Sequence, residues 1–111
     1  MTAVLDADRV RALNDILRRT LIGGTLVLTA GIVALGRERQ QTILDAVATF
    51  DRFDADNDPH GEHDFGALDV AGERVFWKID YFDCTRSRAS PDPADASVTS
   101  RVLTVMLAGE Y

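Results

Sequence analysis

From Glu73 the chain alternates strictly: Val75, Trp77, Ile79 and Tyr81 fall on one side, and Arg74, Lys78 and Asp80 on the other. A period of two is the pleat of a β-strand with one face buried, so this segment predicts a strand that turns Val75, Trp77 and Ile79 toward a helical layer. Phe76 and Phe82 are the two apolar exceptions on the polar side. Immediately before it, Ala71-Gly72 reads as a two-residue hairpin turn, because glycine tolerates positive φ. Phe65–Val70 is then the strand's antiparallel neighbour.

The first half has a different rhythm. Asp6 and Asp8 precede a helical repeat carried by Val10, Leu13 and Leu17, with Ile16 alongside. Arg18, Arg19 and then Gly23-Gly24 are what helix ends favour. The run TLVLT at Thr25–Thr29 is β-branched and apolar, as in a buried strand. GIVALG at Gly31–Gly36 fits either a continued strand or a short helical turn. Arg37–Phe53 repeats at helical spacing through Ile43, Val47 and Phe50, with Leu44 beside them. Near the end, Ser90-Pro91-Asp92-Pro93 stiffens a connection, and VTSRVLTVMLAGEY reads as a strand. The spacing of Val98, Val102 and Met106 leaves a helix open there. The expected fold is α+β: two helices packed on one face of a mainly antiparallel sheet of about four strands, in the order α-β-α-β-β-β.

The length of 111 residues and the 46% hydrophobic content predict one domain, 1–111, with a core that needs no staples. The lone Cys84 can form no intramolecular disulfide, which suits a reducing compartment. Following Asp83, it reads as a spare thiol rather than a nucleophile. Acidic residues precede the first base, so no secretory n-region is expected, and the predicted location is cytoplasmic. Thr20–Gly36 holds no charge, yet it is shorter than the roughly 20 apolar residues of a membrane span and contains four glycines. A formal charge of -6 and a pI near 4.7 argue against direct nucleic-acid binding. The charge is uneven: twelve carboxylates face five bases from Phe53 onward, against six and seven before it. Trp77, Tyr81 and Phe76 beside Asp80 and Asp83 read as core rather than as a stacking platform for bases. The glycines at 23, 24, 31 and 36 match no phosphate-binding spacing.

The candidate functional segment is FDADNDPHGEHDFG, Phe53–Gly66, which gathers Asp54, Asp56, Asp58, His60, Glu62, His63 and Asp64. Oxygen-rich loops wrap hard cations, and added imidazole suits zinc, manganese or iron. The EF-hand template fails, with Pro59 where glycine belongs and Phe65 where the bidentate glutamate belongs. HExxH fails as well, because the two histidines are three apart. Asp and Asn turns, Asp58-Pro59 and Gly61 account for the same residues as chain reversal, and this is the preferred reading. A histidine base oriented by Asp64 or Glu62 would still lack a nucleophile other than metal-bound water.

LNDILR at Leu13–Arg18, DNDPHGEHDFGA at Asp56–Ala67, FWKIDYFD at Phe76–Asp83 and RVLTVMLAGEY at Arg101–Tyr111 resemble one family, domain of unknown function 3768. Phe82 and Val105 depart slightly from it, where the family often has Tyr and Ile. The resemblance implies a small alphaproteobacterial protein often borne on plasmids or other mobile elements, and it implies no activity. Two functions are therefore expected in competition. The first is a binding or regulatory protein without a cofactor, whose acidic face meets a basic protein partner, for instance a mobile-element accessory that interferes with a host or defence protein. The second is a metal-dependent hydrolase built on the Asp/His loop 54–64.

Overall fold

The alternating segment is the strand Glu73–Phe82, here β3, with Val75, Trp77 and Ile79 all buried. The computed structural model describes residues 3–111. Three further strands, β1 (Thr25–Leu28), β2 (Phe65–Val70) and β4 (Ser100–Leu107), complete a sheet of order β1-β4-β3-β2. Ala71 and Gly72 both take positive φ, 53° and 78°, and close the β2–β3 hairpin with the right-handed twist such turns match. Three helices, α1 (Ala3–Thr20), α2 (Ala30–Val33) and α3 (Arg37–Ala48), precede the hairpin. Leu17, Ile32, Ile43 and Val47 from these helices close over Val75, Trp77, Ile79, Leu103 and Val105.

The α+β class stands, and three details of the expectation are corrected. The sheet is mixed rather than mainly antiparallel, because β1 runs parallel to β4 while β4–β3 and β3–β2 are antiparallel. An apolar run such as TLVLT carries no directional signal, so periodicity was blind to this. The helical layer has three members rather than two, since GIVALG supplies the turn of α2 and makes the order α-β-α-α-β-β-β. The second long helix stops at Ala48 rather than Phe53, and Phe50 turns back into the core.

The C-terminal segment is a strand, so the helix alternative there is gone. β4 lies between two neighbours and is covered on both faces: Leu103 and Val105 face the helices, while Val102 and Met106 are buried on the other side. Burial on both faces is what made its sequence a nearly continuous apolar run. On β2, Gly66 lies opposite Trp77, and a Cβ there would run into the indole ring at Nε1. No described helix is long and apolar enough to cross a membrane.

Candidate functional site

The acidic loop begins as local turn chemistry. Asp54 Oδ1 accepts the backbone N–H groups of Asp56 and Asn57, at 2.9 and 3.0 Å. Asn57 returns the favour by accepting from Asp54 N at 2.9 Å and donating to Arg52 O at 2.7 Å. Asp58 Oδ1 accepts from His63 N at 3.1 Å, closing a second small ring around Pro59–Glu62. Such side-chain-to-backbone bonds replace the ladder bonds that an irregular segment lacks. Gly61 and His63 take positive φ, 67° and 54°, and complete the reversal into β2.

The loop is also bolted to α1. Asn14, fully buried, donates to Glu62 O at 3.0 Å and to the Tyr81 hydroxyl at 2.7 Å. Arg101, itself buried, donates through Nε to Asn14 Oδ1 at 2.7 Å and lies over the Tyr81 ring. Arg101 also donates to Pro93 O, which ties the β3–β4 connection to the same knot. At the next residue of α1, Asp15 Oδ1 lies 2.9 Å from His63 Nδ1 and accepts from Arg18 at 3.0 Å. The His63 ring stacks on Phe53, with centroids 3.7 Å apart and planes 7° from parallel. Arg11 adds a bond to Gly61 O at 3.0 Å. The side chains of Asp58, His63 and Asn57 are thus committed to shaping the chain.

A second group of carboxylates gathers elsewhere. An open cleft of about 370 Å³ lies between the N-terminal part of α1, the acidic loop and the β3–β4 connection. Asp6, Glu62, Asp92 and His60 line it, over Val10 and Pro93. Among the described residues, no ion pair engages Asp6, Glu62, Asp64 or Asp92. Burial, helped by the charge of Asp64, raises the Glu62 carboxyl above its ordinary range, although the Tyr81 hydroxyl bond pulls the other way. Burial also raises Asp64, with Asp58 and Asp80 adding to it. Asp15 behaves oppositely. Its burial is outweighed by the bonds from His63 and Arg18, and its carboxyl is lowered.

These opposite shifts make a testable pair. A lowered carboxyl contributes stability that is present above its unfolded value and lost as pH falls through the folded one. A raised carboxyl contributes stability at low pH that is lost as pH rises through its folded value. Asp15→Asn should therefore lower the denaturation midpoint at pH 7, and its effect should shrink as pH falls below the ordinary carboxylate range. Asp64→Asn should raise the midpoint at pH 7, by less than about 1 kcal/mol for a half-exposed group, and leave it unchanged at acid pH. Urea midpoints across that range check both signs, and two variants sloping the same way would refute the assignment.

Of the seven loop residues singled out from the sequence, Glu62 and His60 reach the cleft, with Asp64 close enough to act on Glu62. Asp54, Asp58 and His63 are spent on the fold, and the exposed Asp56 carboxylate has no hydrogen bond or ion pair among the described residues. Among the described residues, no three His, Cys, Asp or Glu side chains converge in a way that could hold a metal ion. Asn14, Asp15, Arg18 and Arg101 were missed. Asn14 had a visible signal: it sits four residues after Val10 on the buried stripe of α1, where an apolar residue belongs. Cys84 is exposed and is not among the residues that line the cleft.

A family model described as protein of unknown function (DUF3768) matches residues 28–110. Neither the curated proteins nor the solved structures give a match to the chain.

Proposed function

The chain belongs to the DUF3768 family, and from that premise we propose that it is a non-catalytic binding protein whose acidic cleft receives a basic side chain of a protein partner. One observation carries this reading: Asp6, Glu62 and Asp92 come from three separate segments, share one open cleft, and form no ion pair among the described residues. A raised glutamate beside further carboxylates is relieved by an incoming guanidinium or ammonium, which supplies the missing opposite charge. The excess of acids after Phe53 adds long-range attraction for the same partner. Interference with a host or defence protein is the biological form this binding would take. The hydrolase alternative draws no support from the loop, whose Asp54, Asp58 and His63 already hold the backbone and one another.

A nuclear magnetic resonance titration with an arginine-rich peptide tests the reading. Shifts should concentrate at His60, Glu62 and Asp92 and weaken as salt rises. Glu62→Gln combined with Asp92→Asn keeps the local hydrogen bonds and should cost about tenfold in affinity. Unchanged affinity, or shifts spread over the whole surface, would refute the cleft. On the same samples, calcium, magnesium, manganese and zinc against EDTA should give no metal-specific rise in melting temperature. A metal bound at about 100 times its dissociation constant would add roughly 2.7 kcal/mol, and its loss in both Asp56→Asn and His60→Ala would revive the hydrolase.

A further inference from the structure

The hydrogen bonds at the buried Asn14 leave no freedom in which atom donates. Arg101 Nε can only donate, so its 2.7 Å bond fixes Oδ1 as the acceptor side of the amide. The amide nitrogen is thereby the atom turned to Glu62 O, at 3.0 Å, and to the Tyr81 hydroxyl, at 2.7 Å. Both of its hydrogens are used, and the Tyr81 oxygen accepts one of them. The single hydrogen of that hydroxyl is then left for Glu62 Oε1, 3.3 Å away. Burial raises the Tyr81 hydroxyl above its ordinary range, so it stays protonated and remains a donor. Every donor in the chain Arg101–Asn14–Tyr81–Glu62 points the same way, from a permanent cation to a carboxyl. Bonds aligned in this manner polarise one another, and a donor at the end of them favours the ionised carboxylate.

This chain of donors ends in the acidic cleft. From α1, Glu62 is faced by Asp6 and by Arg11, whose guanidinium is taken up by Gly61 O and Asp8. Its own loop brings Asp58, His60 and Asp64. Tyr81 reaches it from β3, the Arg101 charge from β4, and Asp92 from the β3–β4 connection. Burial and the charge of Asp64 push Glu62 toward its neutral form, and the Tyr81 hydroxyl is the largest pull the other way. Arg101 has a second hold on the cleft, because it also donates to Pro93 O, next to Asp92. One buried guanidinium thus fixes the wall that carries Asp92 and the donors that reach Glu62.

We propose that Tyr81 is a positioning residue of the acidic cleft and that a proton on Glu62 gates it: the cleft takes a basic side chain while Glu62 is ionised and releases it as Glu62 protonates. The gate rests on the binding reading given above; the role of Tyr81 is a property of the free protein. An incoming cation and a proton compete for one carboxyl, so a peptide that binds displaces the proton. Affinity is therefore full above the folded Glu62 value and is lost as pH falls through it. The Tyr81 hydroxyl sets where that fall begins, because its bond exists at full strength only with the carboxylate.

The free protein is titrated first, through the carboxyl carbon resonance of Glu62, in wild type and in Tyr81→Phe. Phenylalanine keeps the ring beneath Arg101 and removes the hydroxyl alone. The Glu62 midpoint should move to higher pH in the variant, a displacement that a merely structural role for Tyr81 would not produce. Affinity for an arginine-rich peptide is then followed across the carboxylate range in a His60→Gln background, where no imidazolium in the cleft repels the peptide. It should fall by up to about tenfold per pH unit on the acid side. Tyr81→Phe should carry that fall upward in pH together with the Glu62 midpoint. Glu62→Gln cannot titrate, should bind weakly and should flatten the fall, which decides the gate if Tyr81→Phe does not fold. An unmoved Glu62 midpoint in Tyr81→Phe, or an acid fall that persists in Glu62→Gln, would overturn the proposal. A peptide that binds at no pH removes the cleft reading and the gate with it, while the free-protein titration still decides whether Tyr81 sets the charge of Glu62.

Discussion

Trp77→Ala should lose roughly 3–5 kcal/mol of stability, and Lys78→Ala, one residue along the same strand, well under about 1. Trp77 is fully buried at the middle of β3. Its ring meets Phe50 edge-on at 5.6 Å and Phe53 at 6.1 Å, and the Arg18 guanidinium lies 5.3 Å from its centroid. Truncation removes the largest side chain of the core and leaves a cavity that flanking elements cannot fill without moving. Lys78 points the other way, is 40% exposed, and has one surface partner in Asp80 at 2.9 Å. Exposed pairs of that kind contribute little. Gly66→Ala is a companion probe, because its new methyl would strike the indole and overpack the site by about 1–3 kcal/mol. Equal urea midpoints for Trp77→Ala and Lys78→Ala would mean the strand faces the other way.

That strand was legible because its information is local and periodic: neighbours in sequence differ in burial, and the pattern repeats over Val75, Trp77 and Ile79. The hairpin turn was legible for the same reason, since Ala71-Gly72 had to reverse the chain between two apolar runs. The direction of β1 was not legible. Thr25–Leu28 pairs with Val102–Val105, about eighty residues later, and nothing in TLVL distinguishes parallel from antiparallel pairing. β4 looked partly helical because burial on both faces erased its alternation.

The acidic loop divides along the same line. Its Asx-type bonds span two or three residues, so turn chemistry could be read from Asp54, Asn57 and Gly61 directly. Its attachment to α1 spans nearly fifty residues and could not be read. Arg18 is the clearest case. At the end of a predicted helix it looked like a charge complementing the helix dipole, but it is buried, and its partners are the carbonyls of another helix.

Arg18→Ala is accordingly expected to cost about as much as the loss of Trp77, roughly 3–5 kcal/mol. Arg18 Nη1 donates to Val47 O, Ala48 O and Phe50 O, at 2.9, 3.1 and 2.8 Å. These carbonyls close α3 and its exit, where an α-helix has no partners of its own to offer. Nη2 donates to Asp15, which is also the acceptor facing His63. The guanidinium lies against the rings of both Phe53 and Trp77, 5.4 and 5.3 Å from their centroids. Alanine would strip the Ala48 and Phe50 carbonyls of this donor, remove one of the two groups that lower Asp15, and open a void beside the rings. Lysine keeps the charge, but its compact ammonium cannot fork across two acceptor groups or stack, so Arg18→Lys should fall between wild type and alanine. Because Arg18 and Asp15 share one network, the double variant Arg18→Ala/Asp15→Asn should lose less than the sum of the single losses. Urea denaturation of the four proteins measures this. Additive losses, or an Arg18→Ala protein within about 1 kcal/mol of wild type, would show that the helix end and the acidic loop are held independently.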